Sequence, residues 1–157
     1  MNSFAQSETT IQNQSPLLSE KDTHVVNSQR LPLFSDEHVV GVRKLVREYS
    51  IEIKLSLVDQ TKVVTAASEL ARNTIKYGGG GIVICMKLHD GVRDGVRLVF
   101  GDDGPGIVDL SLALTDGYTT GGGLGLGLSG AKRLVDDFEI DTRVGEGTAV
   151  SITKWKK

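Results

Sequence analysis

Glycine is distributed very unevenly along this chain of 157 residues, and that distribution restricts how the chain can fold. Of its 19 glycines, all but Gly41 lie between Gly78 and Gly147. Glycine has no side chain, so its backbone can approach another group closely and can adopt conformations that other residues avoid. Glycine concentrated in this way indicates backbone that is brought close to something, and not a chain that is flexible throughout.

The first thirty residues have the opposite composition. They contain no glycine, they are rich in Ser, Thr, Asn and Gln, and few bulky apolar residues recur among them. Such a segment buries too little apolar surface to offset the entropy that it would lose on ordering. We therefore expect residues 1–22 to be a disordered polar tail and residues 23–157 to form one domain.

The overall composition excludes several classes of protein. The chain carries 18 Lys and Arg against 20 Asp and Glu, which gives no electrostatic reason to bind nucleic acid or an anionic membrane. No apolar run approaches the roughly 18 residues of a membrane span, and no signal peptide is visible, so we expect a soluble cytoplasmic protein. A single cysteine excludes an internal disulfide, and three scattered histidines leave no zinc cluster. That cysteine, Cys85, lies in an apolar run and is expected to be a buried hydrophobic residue.

Hydrophobic periodicity predicts the order strand, helix, helix, strand, strand, helix, strand, strand. Between the third strand and the third helix lies a glycine-rich stretch, 101–127, and a loop of this length in a compact domain is usually functional. We expect an α/β fold, a two-layer α/β sandwich whose mixed sheet carries its helices on one face. The predicted strands are 23–34, 82–88, 96–100, 138–144 and 148–154, and the predicted helices are 36–50, 58–77 and 128–136.

The second predicted helix places a carboxylate beside a carboxamide. Glu69 and Asn73 are four residues apart, so they project from the same face of the helix. The oxygen of Asn73 can bind Mg²⁺, while Glu69 can orient a hydroxyl or accept its proton. Taken alone, this spacing is more often an ordinary solvated helix face.

An acidic residue follows the third strand directly, in the segment Gly101-Asp102-Asp103-Gly104-Pro105-Gly106. The two later glycines turn the backbone aside, which leaves the carboxylate of Asp102 at the mouth of a pocket. A carboxylate there accepts a hydrogen bond from an N–H donor, and the exocyclic amine of adenine is a suitable one. Without further evidence, the segment would be interpreted as a surface turn.

The glycines at positions 121, 122, 123, 125 and 127 lead into the last predicted helix. Their backbone N–H groups can approach phosphate oxygens, and the N-terminus of the helix adds positive potential. The segment 125–130 also matches the dinucleotide pattern G-x-G-x-x-G, but that pattern requires a strand immediately before it, which is not predicted here. The Walker A pattern is absent from the chain.

The last pair of strands is joined by Gly145-Glu146-Gly147-Thr148, which by itself is an ordinary hairpin turn. Together and in this order, the four segments resemble the N, G1, G2 and G3 boxes of the GHKL ATPase and kinase superfamily. The resemblance covers nearly everything from about residue 25 onward. It implies a Bergerat-type α/β sandwich that binds ATP and Mg²⁺.

The resemblance also implies a role for each site residue. Asp102 would recognise the adenine amine, and Gly104, Gly106 and Thr148 would shape its pocket. Asn73 would hold Mg²⁺ across the phosphates, and Glu69 would be the general base. The phosphates would be cradled by a mobile lid that contains Gly121, Gly123, Gly125 and Gly127.

Within the superfamily, the chain resembles the RsbT-like serine/threonine protein kinases of stressosome-type signalling. The resemblance implies that it phosphorylates STAS-domain antagonist proteins of the RsbS and RsbR type and that it also activates a PP2C-type phosphatase of the RsbU type. The alternative is an anti-sigma factor kinase of the SpoIIAB or RsbW type, acting as a sigma-binding switch. Many of those proteins have an Arg-Ser pair before the lid glycines, where this chain has Thr119-Thr120. The segments that carry the narrower resemblance are 68–73, 116–118, 121–125, 130–134 and 152–155.

Overall fold

The computed structural model describes residues 23–115 and 127–157. The predicted tail at 1–22 and the glycines Gly121, Gly123 and Gly125 lie outside these ranges. In the described residues the strands are β1 (His24–Leu33), β2 (Gly81–His89), β3 (Asp94–Asp102), β4 (Asp137–Arg143) and β5 (Gly147–Trp155). The helices are α1 (Asp36–Glu52), α2 (Leu57–Gly78), α3 (Leu110–Ala113) and α4 (Gly127–Arg133).

The strands form one sheet in the order β1-β2-β3-β5-β4, and each neighbouring pair is antiparallel. The prediction of a mixed sheet is therefore wrong. A single crossover helix would make the next strand parallel, but two helices joined by a short connection return the chain to the end where β1 stopped. β4 does run in the direction of β3, but β5 lies between them, so parallel strands are never neighbours.

The two-layer α/β sandwich with helices on one face is confirmed. Alternate residues of the strands point to one face of the sheet, where they form a single core with α1 and α2. Cys85 belongs to this core, as predicted, and burial raises the pKa of its thiol to about 12. Among the core residues are Val83, Leu98, Phe100 and Ile152 from the sheet, and Val42, Val46, Val63 and Leu70 from the helices.

The ends of the helices follow from local hydrogen bonding. Ser56 caps α2, because its hydroxyl accepts a hydrogen bond from the N–H of Asp59 at 3.1 Å. Gly79 ends α2 in the left-handed conformation, with a φ of 76°, as its glycine run predicts. Ser35 stands before α1 as expected, but its side chain makes no capping hydrogen bond; its backbone carbonyl accepts from the N–H of His38 instead.

The predicted loop after β3 contains the short helix α3, which its sequence pattern did not indicate. Asp109 caps this helix by accepting a hydrogen bond from the N–H of Leu112 at 3.0 Å. In the described part of the chain, none of the helices is both long enough and apolar enough to cross a membrane.

A buried lysine joins the start of α2 to the last strand. Lys154 lies 3.5 Å from a carboxylate oxygen of Asp59 and 3.5 Å from one of Asp136, and its side chain is only 6% exposed. Asp136 also accepts hydrogen bonds from the backbone N–H of Trp155 and from Lys157. Burial opposes ionisation of Asp136, but these hydrogen bonds and the nearby lysines outweigh it and hold its pKa below the usual value.

Replacing Lys154 by Ala is expected to lower the free energy of unfolding by about 3–5 kcal/mol, because two poorly solvated carboxylates lose their shared cation. The matched control is Lys157→Ala. Lys157 also contacts Asp136, but its side chain is 66% exposed. Its replacement should lower the free energy of unfolding by less than about 1 kcal/mol. Urea unfolding at neutral pH measures both values. Equal losses in the two variants would contradict this account of Lys154.

Candidate functional site

The structure contains a cleft of about 740 Å³ between α2 and the ends of β3 and β5. The antiparallel pairing places the last residue of β3, Asp102, directly opposite Thr148 at the start of β5. Residues 105–109 of the segment 103–109, which follows β3, and the first two residues of α4 also line the cleft. The predicted site residues that line it are Glu69, Asn73, Asp102, Gly106, Gly127 and Thr148.

One face of α2 forms a wall of this cleft. Glu69 and Asn73 both line it, as their spacing of one helical turn predicts. Glu69 is only 9% exposed, so the alternative of an ordinary solvated helix face is wrong for this residue. Arg72 and Lys76 line the same wall, and sequence reasoning missed both, although their spacing from Glu69 and Asn73 was a signal for them. The wall therefore offers a carboxylate, a carboxamide and two cations.

Asp102 is the acidic residue of the cleft lining at the end of β3, and it lies against Gly78 at the end of α2. Its Oδ1 accepts a hydrogen bond from the backbone N–H of Gly104 at 2.9 Å. Burial raises the pKa of the Asp102 carboxyl, and the backbone N–H groups of Gly104 and Thr148 oppose that shift only in part. A partly desolvated carboxylate in a cleft is a strong acceptor for an N–H donor of a ligand.

Two glycines allow the backbone to pack tightly around Asp102. A methyl group added at Gly78 would lie 2.4 Å from Cγ of Asp102, which is closer than any real contact. Gly147 has a φ of 117°, and a methyl group there would lie 2.1 Å from the carbonyl oxygen of Asp102. The sequence predicted only that Gly78 helps to end α2. Its close packing against Asp102 was missed, because the helix-ending role already explained a glycine at this position.

The segment 103–109 is fixed against the hairpin that joins β4 to β5. The N–H of Gly145 donates a hydrogen bond to the carbonyl of Pro105 at 2.8 Å. Gly106 has a φ of 76°, and a methyl group there would lie 2.4 Å from the carbonyl oxygen of Arg143. This anchoring holds Pro105, Gly106 and Ile107 in place as part of the cleft lining.

The structure thus brings six of the predicted residues into one cleft, and it places Gly104 against Asp102 through a hydrogen bond. Gly121, Gly123 and Gly125, predicted to form a phosphate lid, lie outside the described residues. Gly127, the last residue of that cluster, begins α4 at the edge of the cleft. A carboxylate acceptor at the end of β3 and a carboxamide with two cations on α2 suit a ligand with a base and an anionic group.

Comparison with known proteins identifies the family of this chain. Residues 58–157 match the family model described as histidine kinase-, DNA gyrase B- and HSP90-like ATPase. The serine/threonine-protein kinase RsbT of Bacillus subtilis is 39% identical over 123 residues, which cover 78% of this chain and 92% of RsbT. Anti-sigma F factors from Thermoanaerobacter sp. and Thermoanaerobacter pseudethanolicus are each 25% identical over 119 residues, 72% of this chain and 82% of each factor.

Among solved structures, the RsbU and RsbW domains of a Mycobacterium tuberculosis protein superpose with a TM-score of 0.58 at 22% identity. The match covers 84% of this chain but only 34% of that one, and at this identity it shows the fold alone. The family model and the extent of the match to RsbT settle the family. The chain belongs to the histidine kinase-, DNA gyrase B- and HSP90-like ATPases, in the branch of serine/threonine protein kinases related to RsbT.

Proposed function

We propose that this kinase transfers the γ-phosphate of ATP to a Ser or Thr of a STAS-domain antagonist protein, of the RsbS or RsbR type, in a partner-switching pathway. The observation that carries the proposal is that Glu69 and Asn73, on one face of α2, line the same cleft as Asp102 at the end of β3. This arrangement offers one group for the base of a nucleotide, one for its phosphates and one for a proton.

The proposal assigns adenine to the Asp102 end of the cleft. Asp102 is ionisable, half-buried and hydrogen-bonded on the protein side by backbone N–H groups, so its remaining acceptor capacity faces the cleft. The amine of adenine would donate to it. The apolar lining near Asp102 includes Ile107 and Val150, which would contact the faces of the base.

The proposal assigns the phosphates and Mg²⁺ to the part of the cleft beside Asn73. In residues 23–115 and 127–157, no three His, Cys, Asp or Glu side chains are grouped so that they could hold a metal ion by themselves. Mg²⁺ is often held in proteins by one or two side chains together with substrate phosphates, and Asn73 provides a suitable oxygen. Bound there, Mg²⁺ would neutralise phosphate charge. Arg72 and Lys76, one on each side of Asn73, would add positive charge at the same wall.

Glu69 would then accept the proton of the attacking hydroxyl. It lies one helical turn before Asn73, so a hydroxyl placed against the terminal phosphate would come within its reach. The glycines of the 121–127 cluster would cover the phosphates, and Gly127 at the edge of the cleft is consistent with that position. Catalysis in this site would rest mainly on positioning and charge neutralisation.

We base the proposed partners on the proteins that this chain resembles. The match to the serine/threonine-protein kinase RsbT supports transfer to a Ser or Thr of a protein. The resemblance of the sequence to RsbT-like kinases implies that the substrate protein has a STAS domain, and we extend the proposal to activation of a PP2C-type phosphatase of the RsbU type. The alternative is an anti-sigma factor kinase of the SpoIIAB or RsbW type that captures a sigma factor. The 25% identity to anti-sigma F factors over 72% of the chain supports this second candidate function.

Incubation with γ-labelled ATP and Mg²⁺ tests the proposal. We expect label to appear on Ser or Thr of a STAS-domain protein taken from the same genome as this chain. A parallel incubation with sigma factors from that genome, followed by size-exclusion chromatography, tests the alternative. Transfer of label without sigma binding supports the kinase of STAS proteins, whereas sigma binding without transfer to a STAS protein would replace it by the alternative.

A further inference from the structure

Thr142, on β4, lies directly opposite Thr148 but does not line the cleft. Its hydroxyl oxygen has three close polar neighbours. The backbone N–H of Ile107 donates to it at 2.9 Å, the carbonyl oxygen of Gly147 lies 3.3 Å away, and the hydroxyl oxygen of Thr148 lies 2.9 Å away. The hydroxyl of Thr142 therefore connects β4 to β5 and to the segment 103–109.

The chemistry of these neighbours determines where the protons lie. A hydroxyl donates one hydrogen bond and accepts two. The N–H of Ile107 can only donate and the carbonyl of Gly147 can only accept, so all three contacts are hydrogen bonds only when Thr142 donates its proton to Gly147. Its second lone pair is then left for Thr148, which must be the donor. This is the one arrangement in which all three contacts of Thr142 are hydrogen bonds.

The arrangement makes Thr148 an acceptor toward the cleft. Its only hydroxyl proton points back to Thr142, and its lone pairs remain for a ligand. Asp102, the strand partner of Thr148, is also an acceptor, and the two residues are tied together by the backbone N–H of Thr148. Two neighbouring acceptors can both bind an amino group, which has two hydrogens to donate. They cannot bind a carbonyl oxygen, because it is itself an acceptor.

We propose that Thr142 is a positioning residue that selects 6-aminopurine over 6-oxopurine nucleotides by holding Thr148 in its acceptor orientation. The inference rests on the proposed function, because it assigns the base to the Asp102 end of the cleft. Without the Thr142 hydroxyl, Thr148 can turn its proton toward the ligand and donate to a 6-oxo group. Specificity for the base thus depends on a residue that does not touch it.

The test compares ATP with inosine triphosphate (ITP), which carries an oxygen in place of the 6-amino group. Dissociation constants for both are measured by isothermal titration calorimetry on the full chain. In Thr142→Val we expect the preference for ATP over ITP to fall by about tenfold, the size of one hydrogen-bond mismatch. Thr142→Ser keeps the hydroxyl and should keep the preference. Thr142→Ala removes the hydroxyl with less bulk and serves if the Val variant does not fold.

A double-mutant cycle shows whether Thr142 acts through Thr148. In a Thr148→Val background there is no hydroxyl to orient, so adding Thr142→Val should leave the ATP-to-ITP ratio unchanged. An unchanged ratio in Thr142→Val and Thr142→Ala, or the same fall in both backgrounds, would overturn the inference while leaving ATP binding intact. A wild-type chain that binds neither nucleotide would remove the proposed function itself, and this inference with it.

Discussion

The Asp102→Asn variant is expected to lose ATP binding, with an affinity lower by on the order of a hundredfold or more, as the loss of a charged hydrogen-bond partner implies. The carboxylate has acceptor capacity for both the protein and the ligand. Asn has only one oxygen, and the N–H of Gly104, 2.9 Å from Oδ1, already uses it. The amide nitrogen of the variant would then face the adenine amine, donor against donor. Calorimetric titration with ATP measures the loss.

The stability of the ligand-free protein separates lost binding from lost folding. Folding raises the pKa of Asp102, so this residue contributes stability below its unfolded pKa and loses that contribution as the pH rises through the folded value. At pH 7 burial of this carboxyl is therefore unfavourable for folding. Asn removes that cost but has one oxygen for the backbone N–H groups of Gly104 and Thr148, and because the two effects oppose each other the melting temperature of the ligand-free protein should stay close to wild type. The control is Asp103→Asn, an exposed neighbour outside the cleft lining, which should bind ATP normally. Normal ATP affinity in Asp102→Asn would remove Asp102 from the adenine site.

Much of the fold could be predicted because its signals are local. Helix α2 carries an apolar stripe, a cap and a terminating glycine run within one continuous segment, and its bounds agree closely with the expectation. The strand directions could not be predicted in this way. Whether β4 pairs with β3 or lies beyond β5 depends on packing between distant segments, and no single segment encodes it.

The site shows the same division between local and distant signals. Glu69, Asn73 and Asp102 lie in short patterns whose spacing carries chemistry, and they line one cleft. Thr142 has no such pattern, since a Thr in a strand is ordinary, and its importance arises only when the hairpin and the segment 103–109 meet. Lys154 is similar, because the carboxylates that make its burial possible come from the start of α2 and the turn before β4.

The Glu69→Gln variant is expected to bind ATP with nearly wild-type affinity and to transfer phosphate about 10²–10⁴ times more slowly, the usual contribution of a general base. Gln has the shape of Glu and preserves packing at a position that is only 9% exposed, but it cannot accept a proton. The substitution also leaves Asp102 and Asn73 unchanged, so the assigned contacts to base and phosphates remain. Transfer to a STAS-domain protein is followed by the γ-label in a single turnover, with ATP affinity measured separately.

The comparison that decides the role of Glu69 is between binding and transfer. Loss of both together would place Glu69 in nucleotide binding, and near-normal transfer would exclude it as the base. Glu48→Gln, an exposed substitution on α1 outside the cleft lining, controls for the loss of one negative charge from the protein.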